Sequence, residues 1–284
     1  AVTFTKTTVM FPSGVEIKAG DDVRCMECHQ GRESKVSVDT QIEKFAVTDM
    51  DAVVAPIKDD QGKDVNFGFR NVHYFAAAAT LYGSETHGGY EYEGNSYDAK
   101  NTHVEGYATC TGCHNPHTLE VKVEQCANCH EGVATVEDLK NVRMVSSAPD
   151  YDGDGDVEEG MYYEIEGLQT TLMAEIQTYA KDKAGTGIVY DPAAYPYWFA
   201  DADGDGAADQ GENGSVRYGT WTARLLKAAY NYQVSLKDPG AFAHGNKYIV
   251  QLLFDSVADL GGDTSNLART DAGHFAGNTE AFRH

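Results

Sequence analysis

The chain has 284 residues, 44 of them acidic and 22 basic, for a formal net charge of −22. The length allows one large or two ordinary domains. The charge argues against nucleic acid and anionic membrane surfaces as partners and favours cationic partners or bound cations. No run of eighteen apolar residues occurs, so no transmembrane helix is expected.

The chain opens Ala1-Val-Thr-Phe-Thr, with no initiator Met, basic segment or apolar segment. That is the expected look of a mature end left by secretory cleavage. Residues 2–11 are β-branched and aromatic with rough alternation, and predict a strand or extended arm. Cys25-Met-Glu-Cys28-His29 follows. The alanine-rich stretch 71–83 predicts a short helix that carries His73 and ends at Gly83. Residues 82–107, rich in Gly, Tyr, Asn and Glu, predict a loop. Then come Cys110-Thr-Gly-Cys113-His114 and Cys126-Ala-Asn-Cys129-His130. Three helices are predicted beyond: 158–183 on the stripe Met161, Ile165, Leu168, Leu172, Ile176 and Tyr179; 216–237 on Trp221, Leu225, Leu226, Ala229 and Tyr232; and 246–260 on Ile249, Leu252, Leu253, Val257 and Leu260. These stripes read as core packing.

The three Cys-x-x-Cys-His motifs use every cysteine in the chain. Two thiols two residues apart can each form a thioether to one haem vinyl group, and the adjacent histidine supplies the proximal nitrogen to iron. A zinc site would pair two Cys-x-x-Cys units with no histidine required after each, and a thioredoxin-like pair would be single. The motifs therefore assign Cys25, Cys28, Cys110, Cys113, Cys126 and Cys129 to covalent attachment of three haems c. His29, His114 and His130 become the proximal ligands, and no disulfide is expected. The 17 Tyr supply large apolar faces that can lie against porphyrin.

Seven histidines outside the motifs are available for three sixth positions. His73, His103 and His117 are the leading distal candidates, followed by His244, His274, His87 and His284. A second histidine makes a six-coordinate electron carrier, whereas an open iron allows substrate chemistry. No motif carries Lys in place of its His, so an electron carrier is expected rather than an enzyme; the alternative is a multihaem reductase with one open iron.

Asp201-Ala-Asp203-Gly-Asp205-Gly206-Ala207-Ala-Asp209-Gln-Gly-Glu212 matches a twelve-residue Ca²⁺ loop. Side-chain oxygens fall at positions 1, 3, 5, 9 and 12, and the Ala207 carbonyl at 7. A second Asp-rich loop offers Asp150, Asp152, Asp154, Asp156 and Glu158, with Met161 where the bidentate Glu belongs. Both are expected to be structural calcium sites. The predicted fold is mostly α with extensive loop and little regular β. It divides into a haem-organised domain, 1–130, and a helical domain with calcium-type loops, 131–284.

Cys25-Met-Glu-Cys28-His29-Gln-Gly-Arg, Asn71-Val-His73-Tyr-Phe, Cys113-His114-Asn-Pro-His117 and Lys237-Asp-Pro-Gly-Ala-Phe-Ala-His244 together resemble exported multihaem c-type cytochromes of metal-reducing and other anaerobic bacteria. The resemblance implies bis-histidine haems and electron transport across or beyond the cell envelope. It places the protein outside the cell or at its surface, with the periplasm as the alternative. Other redox proteins or extracellular electron acceptors are the implied partners. Some members polymerise into filaments in which one haem takes its distal histidine from the next subunit, so copies of this chain are also expected partners.

Overall fold

Three long helices carry the apolar stripes and pack on one another: α6 (Met161–Asp182), α7 (Ala223–Leu236) and α9 (Asn246–Leu260). In the computed structural model, which describes residues 6–73, 75–143 and 149–270, Leu168, Leu172, Ile176, Leu225, Leu226, Ile249, Leu252 and Val257 are fully buried among them. Periodicity at 3.6 residues puts these side chains on one face per helix, and their removal from water drives the packing. α9 keeps the predicted bounds, because Gly261 at φ +87° closes it in the left-handed conformation. α6 starts at Met161 instead of 158, since Gly160 runs too close to the backbone of Lys140 and Asn141 to carry a side chain. α7 starts at Ala223, not 216. Thr222 caps it, accepting the Leu225 N–H at 3.0 Å, and leaves Trp221 outside the helix.

The amino-terminal part adds shorter pieces. A hairpin of β1 (Thr8–Met10) and β2 (Glu16–Lys18) leads into α1 (Val23–His29) and α2 (Lys35–Lys44). Next come a two-residue hairpin, β3 (Ile57–Lys58) with β4 (Asp64–Val65), and α3 (Ala77–Tyr82). One-turn helices α4 (Cys110–Cys113) and α5 (Val123–Cys126) hold the second and third motifs. Between the long helices lie the hairpins β5 (Ile188–Tyr190)/β6 (Trp198–Ala200) and β7 (Gln210–Gly211)/β8 (Gly214–Ser215), then α8 (Ala241–His244). The chain is thus mostly helical, with loops and short two-stranded ribbons.

His73 does not lie on a helix as predicted. It precedes α3 at φ +53°, a left-handed conformation that a continuing helix does not allow. The loop after α3 is docked through polar groups. Asn231 of α7 accepts the Tyr90 N–H at 2.6 Å and donates to the Tyr90 carbonyl at 2.9 Å. Tyr248 of α9 accepts the Gly89 N–H at 3.0 Å. A Cβ on Gly89 would sit 2.2 Å from Leu252, so the close approach requires glycine. No helix among the described residues is long and apolar enough to cross a membrane.

Candidate haem sites

α1 ends on the first motif, so Cys25, Cys28 and His29 project from one short helix. Asp22, at its amino terminus, accepts the Cys110 N–H at 3.2 Å and ties the first motif to the second. Thr109 caps α4, accepting the Gly112 N–H at 3.0 Å. All six thiols are free. Burial raises the Cys110 thiol to about 12, helped by the negative charges of Asp22 and Cys25. The Cys113 thiol is raised by burial and then by Cys126. Cys28 and Cys129 are exposed, and the other four cysteines are partly buried.

Two of the three motif histidines point one nitrogen at a fixed acceptor. His29 Nδ1 lies 2.8 Å from the Phe75 carbonyl and His114 Nδ1 lies 3.2 Å from the Leu119 carbonyl. A carbonyl only accepts, so Nδ1 carries the proton and Nε2 keeps the lone pair that a metal needs. The sharper observation lies opposite. The His114 ring faces His244 with centroids 6.2 Å apart and planes at 41°. The His130 ring faces His103 at 6.2 Å and 49°.

These distances test whether the residues fit haem. A metal–imidazole bond of about 2 Å, with the ring centroid about 1 Å beyond the nitrogen, separates two axial imidazoles on one iron by about 6 Å. Both pairs fit. His114 and His130 follow their cysteines directly, as covalent attachment requires.

The other candidates are placed differently. His73 Nδ1 lies 2.7 Å from the Asn71 carbonyl, and His87, at φ +50°, places Nδ1 2.7 Å from the Glu91 carboxylate. His117 is exposed, its N–H donating to Asn115 Oδ1 at 2.9 Å. Among the described residues no second histidine ring faces His29 at pair distance. His274 and His284 lie outside the described residues. Sequence reasoning passed over Asp238, whose two carboxylate oxygens are each 2.9 Å from His244 Nδ1. Burial pulls the His244 pKa down, and Asp238 outweighs it and leaves it raised.

The acidic loops are built differently from the twelve-residue template. Asp201, Asp203 and Asp209 converge, whereas Asp205 turns to the Ala207 N–H at 2.8 Å. Glu212 sits exposed in the turn between β7 and β8, outside the group it was expected to complete. Strands flank this loop, and the ladder that draws Asp209 toward Ala200 and Val216 carries position 12 away. In the second loop Asp150 and Asp152 converge with buried Glu164, and Asp152 and Asp154 with Glu159; Asp156 and Glu158 stand outside both groups. Glu164 also pairs with Arg143 and accepts the Tyr151 N–H at 2.7 Å.

No family model and no solved structure matches the chain. The chain is similar to the C-type polyheme cytochrome OmcB of Geobacter sulfurreducens, 28% identical across 90% of this chain and 32% of that protein. It is equally similar, at 28%, to the C-type polyheme cytochrome OmcC of the same species, across 88% of this chain and 31% of OmcC. The chain thus spans about a third of the length of the curated relatives it matches. The chain is thus similar to part of two C-type polyheme cytochromes and carries three Cys-x-x-Cys-His motifs of its own.

Proposed function

We propose that the chain is a triheme electron carrier in extracellular electron transport. The observation that carries the reading is the pairing of two motif histidines with two distant histidines at 6.2 Å. Bound haem supplies one-electron chemistry at iron. The chain's own part is to attach each haem through two thioethers, to hold two imidazoles on line with iron, and to keep the attachment points adjacent. The bond from the Cys110 N–H to Asp22, which starts the helix of the first motif, and the sixteen residues between His114 and His130 support a linear order, first motif to second to third. Residues 1–130 act as the haem-attachment unit. Residues 131–284 act as the helical scaffold, lend His244 to the second site and bind calcium in the two Asp-rich loops.

The third iron, on His29, takes its sixth ligand from the remaining histidines: His73, His87, His117, His274 or His284. If that ligand comes from a neighbouring copy, the chains join head to tail in a filament at the cell exterior. Exposed Cys28 and Cys129 at the two ends of the row support such contacts. Other redox proteins or extracellular acceptors exchange electrons with the ends. The placement of His29 also favours a second reading, a reductase whose His29 iron stays open. Intact mass with spin counting decides between them. Three haems, all low-spin and inert to CO, establish the carrier. One third of the iron high-spin in the assembled protein establishes the reductase, and a mass without three haems overturns both.

A further inference from the structure

We infer that Asp238 is a positioning residue for His244 and lowers the reduction potential of the iron held between His114 and His244. The inference rests on the reading of His244 as an axial ligand.

Asp238 follows α7 and is 2% exposed. Its two carboxylate oxygens share the His244 Nδ1–H, each at 2.9 Å, and Oδ1 also accepts the Gly240 N–H at 3.1 Å. The turn is built around the imidazole. The His244 N–H donates to the Gly240 carbonyl and the Ala241 N–H to that of Asp238, at 2.9 and 3.0 Å. A Cβ on Gly240 would lie 2.7 Å from His244 Cε1 and 3.0 Å from Nδ1, so the absence of a side chain makes room for the ring. The ring is thereby fixed with its Nδ1 on Asp238 and its centroid 6.2 Å from that of His114.

The partner differs in charge from those of the motif histidines. His29 and His114 face neutral carbonyls of Phe75 and Leu119. His244 faces an anion. An anionic acceptor on Nδ1–H draws that proton toward itself and makes Nε2 a stronger electron donor to the metal. It also places negative charge where water is excluded and Coulomb interactions are strong. Both effects stabilise the ferric iron, which carries one more positive charge than the ferrous. Hydrogen bonding around axial ligands is one of the levers by which a protein sets haem potential. The step is balanced: reduction adds one electron to the iron from the titrant, no bond forms or breaks, and the Nδ1 proton stays on His244.

The test is redox potentiometry followed by visible and EPR spectra, on the complete haem-loaded chain and three variants. Asp238→Asn keeps a hydrogen-bond acceptor and removes the charge. One of the three one-electron transitions should move to higher potential with all iron still low-spin, and Asp238→Glu should move it back. His244→Ala should turn one third of the iron high-spin. If His244→Ala leaves all iron low-spin, the ligand reading fails. If His244→Ala gives the high-spin third but Asp238→Asn leaves every potential in place, the role of Asp238 fails and the ligand reading stands. An Asp238→Asn chain that loses a low-spin signal instead of shifting a potential makes Asp238 a structural support only and overturns the tuning.

Discussion

At the scale of single residues, an axial histidine is defined by what holds it as much as by where it points. His103 and His130 come from separate loops, and their rings meet at 6.2 Å without a hydrogen bond between them. If the two share an iron as proposed, removing His103 leaves its side of the iron open. In His103→Ala, one third of the iron should become high-spin and bind CO while the rest stays low-spin; three low-spin, CO-silent haems would remove His103 from the site. The reading of the six cysteines and three adjacent histidines as haem-attachment residues rests on a local pattern, a spacing of two residues and an adjacent ring. The pairing was not. His244 lies 130 positions beyond His114, and no local pattern encodes which of seven spare histidines closes which site. Asp238 was harder still, because an aspartate before Pro239-Gly240 reads as a helix stop. His73 looked helical from its alanine neighbours, yet its own N–H is taken by Asn71 Oδ1 at 3.1 Å, and the turn so formed delays the helix to Ala77.

At the scale of elements, legibility followed the strength of periodicity and caps. α9 was readable at both ends because its stripe is unbroken and Gly261 closes it. α2 was not seen, since Lys35-Val-Ser-Val-Asp-Thr is rich in residues with modest helix propensity; Ser37 Oγ holds its start by accepting the Ser34 N–H at 3.1 Å. The α6 stripe is the keel of the core. Leu172 is fully buried, and Leu172→Ala should cost about 2–5 kcal/mol in denaturant unfolding. A cost below that range would mean the neighbouring helices close the gap. The loop before α6 makes a pH-dependent prediction. Without a cation, burial and then neighbouring carboxylates push Glu159 up to about 7, and burial with the charges of Asp154, Glu164 and Asp150 pushes Asp152 up to about 6. Both folded values exceed the unfolded ones of about 4, so the folded chain holds protons that the unfolded chain releases. Stability from this loop is then full below about pH 4 and is lost as pH rises through 6–7. A bound divalent cation would reverse that loss. Chelation should therefore lower the melting temperature more at pH 8 than at pH 5, and an equal effect at both would separate these carboxylates from calcium.

At the scale of the whole molecule, charge and assembly pull against each other. A net charge of −22 makes two copies repel, and the repulsion reaches as far as the ionic atmosphere allows, about 10 Å at 0.1 M salt and about 30 Å at 0.01 M. If each motif holds one haem as proposed, the row is short, and conduction over longer distances needs contact with another row. A head-to-tail contact that does not close into a ring yields a fibre, and an isologous one yields a dimer. If the ends of the row meet in neighbouring copies, association must work against the charge, and screening must favour it. Light scattering should show particles growing as salt rises from about 0.01 to 0.5 M, since the Debye length shortens severalfold over that range. If calcium binds the Asp-rich loops as proposed, it should act at lower concentration than sodium. The spectrum should follow the size. If the His29 iron takes its sixth ligand from a neighbour, the dissociated chain has one third of its iron high-spin, and assembly converts that third to low-spin. Chains that stay monomeric across the whole salt range, with all three haems already low-spin, would sink both the filament and the shared ligand. They would return the sixth ligand of the His29 iron to a histidine of the same chain.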